Sequence, residues 1–410
     1  TIAMIHAADR GDVESLVLWN PCASGASFVS EVSKLHQIYV RIEPQLGLAP
    51  KPRVAGEEAL GSFLPEALVG ELGAIDLLET ARRPARRTLV IDGGNVAGCD
   101  ALMRHLRDLG AAPELRSHPG HKFLVTVAHR SLVPDSVIDA IVDWLASVHP
   151  LTEGAVDGSQ GYAATPPAPA GERPIVFGRS HPVFGILTPA DPARTGPDRP
   201  RIVLSNAGCV NRSGPHRLYV KMARRWARQG FTVLRVDLPG IGDSPVVAGT
   251  QENVTYPPTA LDDLRDAMRA IGPGPVIIAG LCSGGDYAFQ LGSRDPNVTG
   301  AWLLNPRTFG VLALAAVESG APPTTPVDGV PLELRRMAER GVDTLLVVSR
   351  NDPGVAYVDK HAGDAMRALE GVARFKRVDF DGADHSFTPM VVQESVSDLL
   401  TENLVKPGTR

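Results

Sequence analysis

From about residue 174 to the C-terminus, the chain alternates short, almost wholly apolar runs with longer amphipathic ones, and this rhythm is the strongest constraint on its fold. VFGILTP, RIVLSN, FTVLRVDL, PVIIAGLC, AWLLNP, DTLLVVS and FKRVDF read as strands. Between them, RLYVKMARRWARQG and LDDLRDAMRAIG carry apolar residues at helical spacing, and a last helix is expected near Val391 to Leu404. Strands that are apolar throughout must be buried on both faces. The expectation is therefore a doubly wound α/β domain, a mostly parallel sheet with helices on each side.

Upstream, EGAVDGSQGYAATPPAPAGERP has the Gly, Ala and Pro content of an inter-domain linker. This predicts domains at 1–152 and 174–410 joined by a linker at 153–173. The first half resembles the end of the second. A shift of 285 aligns Ala3 with Ala288, Val13 with Val298, Leu18 with Leu303 and Asn20-Pro21 with Asn305-Pro306. A shift of 255 aligns Pro134 with Pro389, Val137 with Val392, Asp143 with Asp398 and Leu145 with Leu400, and leaves His129 one residue from the place of His385. The pattern reads as a tandem duplication whose first copy starts just past the elbow of the second. Opposite Ser349 to Asp352 that copy reads Asp92 to Asn95, without an acid in the expected place, so it is expected to be structural or regulatory.

Gly280-Leu281-Cys282-Ser283-Gly284 follows an apolar strand and precedes a helical run. A nucleophile elbow needs this context: the nucleophile sits on a strained turn, and glycine two residues to either side avoids neighbouring backbone. Cys282 meets the requirement, whereas Ser283 has Leu281 at minus two. Asp352 follows DTLLVVSRN and His385 follows FKRVDFDGAD, which completes the chain order nucleophile, acid, histidine at the carboxyl ends of strands. Asp381 and Asp384 adjoin His385 and are read as loop residues.

The candidate catalytic set is thus Cys282, Asp352 and His385. A histidine partner and a seat at a helix N-terminus favour the thiolate, and attack on an acyl group would give a thioester intermediate. The oxyanion hole is expected at the backbone N–H of Ser283 and that of Cys209 in the loop after RIVLSN. Phe309, Leu312 and Leu314, in the segment where a cap is expected between Pro306 and Val342, are candidates to line the acyl pocket.

The stretch RIVLSNAGCVNRSGPHRLYVKMARRWARQGFTVLRVDLPGIGDS, followed by GLCSGGDYAF, resembles α/β-hydrolases of the exosortase A system-associated or serine-aminopeptidase-like kind. The likeness runs over nearly all of 174–405, and LVLWNPCASG and AIVDWL in the first half are similar to matching parts of the same group. It implies a three-layer α/β-hydrolase fold and acyl-transfer chemistry. The expected activity is that of a cysteine-dependent thioesterase, esterase or acyltransferase. The competing readings are a non-catalytic ligand-binding pseudo-hydrolase and lyase or cyclase chemistry on the same fold.

Composition narrows the partners. The 41 Lys and Arg against 46 Asp and Glu leave a net charge of -5, so no broad basic field draws nucleic acid or an anionic membrane. The expected partner is a small acyl substrate, free or carrier-bound, and no cofactor or metal is called for. A homo-oligomer or a second chain is expected to complete the first copy. The four cysteines, Cys22, Cys99, Cys209 and Cys282, are too dispersed for a disulfide framework, which with an N-terminus lacking a signal pattern suggests a cytoplasmic protein.

Overall fold

The computed structural model describes residues 1–42, 55–93, 99–124, 126, 128–150, 171–309, 329–350, 352–371 and 374–405. They form two compact units, the first made of Thr1–Tyr39, Pro52–Ala59 and Phe63–Ala164, the second of Val40–Lys51, Leu60–Ser62 and Thr165–Arg410. Most of the expected linker lies outside the described residues. Among the described residues no helix is long and apolar enough to cross a membrane.

In the first unit, strands β1 (Ser15–Trp19), β4 (Arg87–Asp92) and β5 (Ala112–Ser117) make a parallel sheet in the order β1-β4-β5, apart from a short pair formed by β2 (Gly56–Ala59) and β3 (Ser62–Pro65). Alternate residues of β4 point to opposite faces. Val90 packs with Met4, Leu18, Leu102 and Leu106, while Leu89 and Ile91 pack with Val137 and Trp144.

The second unit holds eight strands, β6 (Arg173–Phe177), β7 (Val183–Thr188), β8 (Arg201–Leu204), β9 (Val233–Asp237), β10 (Val276–Leu281), β11 (Val298–Leu304), β12 (Asp343–Ser349) and β13 (Phe375–Phe380). They lie in the order β13-β12-β11-β10-β8-β9-β7-β6. All neighbours from β9 to β13 are parallel, and β7 runs antiparallel to both β9 and β6. With helices on both faces this is the three-layer α/β-hydrolase fold. The continuous apolar runs arise because each strand feeds two cores. Ile202 and Leu204 of β8, Ile277 and Ala279 of β10 and Leu345 and Val347 of β12 face Trp226, Trp302 and the helix Met390–Val405. Val203 and Ile278 face the helix Ala260–Ala270, and Leu346 and Val348 pack with Phe289 of the helix Ser283–Arg294.

The strand order sets the location of the site. From β8 the chain proceeds outward to β9 on one side, then crosses to β10 on the other. Such a switch point opens a crevice at the carboxyl ends of the two central strands. Its walls are the loop after β8 and the turn after β10, which carry Cys209 and Cys282.

Candidate active site

Cys282 lies in the turn between β10 and the helix Ser283–Arg294, at φ 60° and ψ -120°, a conformation that L-residues rarely adopt. Its backbone is held by an N–H donated to Leu304 O at 2.9 Å, and its carbonyl accepts the N–H groups of Gly285 and Asp286. The turn is so tight that a Cβ on Gly280 would lie 2.6 Å from Gly284 Cα, and one on Gly284 would lie 2.8 Å from Asn206 O. Gly284→Ala should therefore destabilise the protein by about 1–3 kcal/mol through overpacking. Gly285→Ala, whose nearest contact would be 3.2 Å, should cost less. Chemical denaturation of both variants checks the ranking, and equal losses would contradict it.

Asp352 and His385 follow the last two strands, β12 and β13. Asp352 is the N-cap of the helix Pro353–Leu369, where its Oδ1 accepts the Gly354 N–H at 2.7 Å. Its Oδ2 lies 2.5 Å from Nδ1 of His385, in the loop after β13. Nε2 of His385 is buried, has no formed hydrogen bond among the described residues, and is turned to the Cys282 thiol. Burial disfavours charge on His385, but Asp352 and Cys282 outweigh it and hold the imidazolium up to about 10. Burial would raise the Asp352 carboxyl, yet the bond and charge of His385 and the Gly354 N–H bring it below its ordinary range. The helix N-terminus behind Cys282 adds a fixed positive potential.

Ser283 and Cys209 frame the same crevice. Neither of their backbone N–H groups has an acceptor among the described residues. The Ser283 side chain is fully buried, and its Oγ accepts the Gly208 N–H at 3.0 Å and donates to Asn206 O at 3.4 Å. That hydroxyl pins the loop after β8 to the elbow. The Cys209 thiol donates to Asn253 O at 2.9 Å, and burial pushes it up, so it stays a neutral thiol.

No protein-family model matches the chain, and no curated protein matches it. Among solved structures it is similar to the α/β hydrolase GrgF from Penicillium sp. sh18, at 15% identity over 57% of this chain and 97% of that one, with a TM-score of 0.41. It is also similar to the Pyrococcus furiosus esterase Pf2001, at 15% identity over 57% and 91% of the two chains, with a TM-score of 0.42. A putative dienelactone hydrolase from Klebsiella pneumoniae matches at 16% identity over 57% and 98%, again with a TM-score of 0.42.

Several supporting residues escaped the sequence reading. Asn305 follows β11 at φ 41°; its Oδ1 accepts the Ser349 N–H at 2.7 Å and its Nδ2 donates to His385 O at 2.9 Å. It thus ties the histidine loop to the strand ends. The positive φ after β11 has a sequence signal, an Asn before Pro306, but its partners lie 44 and 80 residues away. Asp286, fully buried, accepts from Tyr256 Oη at 2.5 Å and from the Thr308 N–H at 3.1 Å, and joins the elbow helix to two flanking loops. Burial pushes its carboxyl up to about 6 against those bonds. Of the loop acids, Asp381 pairs with Arg350, and Asp384 accepts the Thr388 N–H at 2.6 Å and so braces the histidine loop. Phe309 is buried edge-on to Phe289, with ring centroids 4.9 Å apart, as part of the core, while Leu312 and Leu314 lie outside the described residues.

In the first unit His121, which follows β5, lies edge-on to Trp19 with ring centroids 6.3 Å apart. His129 is exposed in a separate turn, Ala128–Arg130.

Proposed function

We propose that the second unit is a cysteine-dependent acyl-transfer hydrolase acting on an ester or thioester. The observation that carries this reading is Cys282 on a strained elbow, facing a histidine whose other nitrogen is held by a buried carboxylate. The Cys282 thiolate attacks the acyl carbon. The carbonyl oxygen becomes an oxyanion accepting from the Ser283 and Cys209 N–H groups, and the protonated Nε2 of His385 delivers its proton to the leaving oxygen or sulfur. Water or another acceptor, deprotonated by His385, then cleaves the thioester. Asp352 keeps Nδ1 protonated and Nε2 aimed at the reacting atoms throughout.

Intact-protein mass spectrometry after mixing with a short-chain acyl thioester or an activated ester should show one acyl adduct, mapped to Cys282. An adduct on Ser283, or none across a series of donors, would sink the reading.

The first unit is read as a partial second copy. Asn20, at φ 46°, stands where Asn305 stands at φ 41°. Asn20 donates its N–H to Ile91 O and accepts the Gly93 N–H, as Asn305 donates to Val347 O and accepts the Ser349 N–H. This register sets Gly93 opposite Ser349, one residue from the sequence alignment, and counting along the sequence from there the position of Asp352 falls on Val96, which lies outside the described residues. The acid is missing in either register, which supports a non-catalytic role for that unit.

A further inference from the structure

At the end of the sheet formed by β6, β7 and β9 lies a cavity of about 240 Å³ lined by Arg173, Arg212, Arg217, Arg224 and Arg235, with Glu172 as the acidic residue in its wall. The five guanidiniums come from β6, the loop after β8, the helix Leu218–Arg228 and β9. Three carboxylates answer them. Glu172 lies between Arg224 at 2.7 Å and Arg235 at 3.1 Å, and Arg212 pairs with buried Asp237 and exposed Asp243. Arg173 and Arg217 have no carboxylate partner among the described residues, and both are exposed at the rim.

Two positive charges are thus left over, more than a structural ion-pair network needs. The donors are also not exhausted. Arg235 is 4% exposed, and its Nε–H has no acceptor among the described residues. The frame is rigid: the Arg212 guanidinium stacks on the Phe184 ring at 4.6 Å. His216 and Arg217 both adopt left-handed backbone, at φ 52° and 59°, a conformation that costs energy and persists where surrounding structure imposes it.

We propose that this cavity is a phosphoryl-binding site. Planar guanidinium forks match the oxygens of a phosphate in pairs, and a phosphate monoester carries about 1.5 to 2 negative charges at neutral pH, the charge the cavity lacks. The volume is below the roughly 300 Å³ at which sites for whole drug-sized ligands begin, so it suits inorganic phosphate or the phosphorylated end of a larger molecule. Arg212 and Arg217 sit on the loop that carries Cys209, which places the site on the outer flank of that loop. The proposal does not depend on Cys282 chemistry, because binding is read without turnover.

The test is calorimetric titration of the full chain with inorganic phosphate in a phosphate-free buffer, against chloride at matched ionic strength. Saturable binding should weaken about tenfold or more in Arg173→Ala/Arg217→Ala, the loss of two charge-assisted contacts. Arg217→Glu, at an exposed position, should abolish it, and thermal melting of each variant without phosphate shows that the fold is kept. No saturable binding beyond chloride, or equal binding in Arg217→Glu, overturns the proposal. Competition then identifies the source. Displacement of phosphate by coenzyme A but not by pantetheine assigns the site to a phosphorylated thiol, whereas binding of phosphate alone assigns it to the free ion.

Discussion

Replacing Cys282 with alanine is expected to lower kcat by roughly 10⁴–10⁶-fold, the scale seen when a triad nucleophile is removed. The residual rate reports what the Ser283 and Cys209 N–H groups and substrate binding supply alone. Ser283→Ala is the sharper comparison. Its Oγ is fully buried and already holds the Gly208 N–H, so its loss strands that donor at a cost of about 1–3 kcal/mol in stability. Turnover should fall far less than in the cysteine variant. Steady-state kinetics on one activated ester, with denaturation curves for both proteins, decide the matter. A cysteine variant that keeps its rate while the serine variant loses it would move the nucleophile one residue along the chain. His385 offers an independent readout: with the Cys282 partner gone, its titration followed by NMR should move down from about 10.

Asp352→Asn should cost roughly 10³–10⁴-fold in kcat, because an amide in place of the carboxylate no longer selects the Nδ1-protonated tautomer or offsets the imidazolium charge. Asn keeps an oxygen to accept the Gly354 N–H, so the helix cap survives and the fold is disturbed little. The pH dependence gives a second signature. His385 is raised above its ordinary 6.5, so its contribution to stability is complete below that value and is lost as pH rises through about 10. Asp352 is held below 3.8, so its contribution is present above that value and is lost as pH falls through the lower folded one. In the variant the alkaline loss should begin at lower pH and the acid loss should shrink. Thermal melting across pH, beside a pH–rate profile with an alkoxide leaving group, measures both. Unchanged profiles would show that the carboxylate does not act on His385.

Much of this molecule could be read locally. Largely apolar runs of four to seven residues between amphipathic helices specify the central strands β8 to β12, because their apolar side chains alternately meet one of two cores. The elbow could be read because Gly280 is demanded by backbone clearance within five residues, whereas Gly284 is demanded by Asn206 O of the loop after β8. The order of Cys282, Asp352 and His385 could be read because all three follow strand signals. β6 was missed, since as an edge strand it is short and begins with exposed Arg173 and Pro174, leaving only Ile175 and Phe177 to pack on the core. The role of Ser283 was also hidden, because a hydroxyl aimed at a loop 75 residues earlier has no local pattern.

The sequence alone determined the doubly wound domain and the residue types available for chemistry, since periodicity and turn sterics act over a few residues. Tertiary structure alone decided which polar groups meet. It brought Asp352 to His385 and Asn305 behind them, and buried Arg235 beside Glu172, 63 residues away, among four other arginines. Such pairings depend on strand order and crossover, and a buried charge is tolerated only where the completed fold supplies its partner.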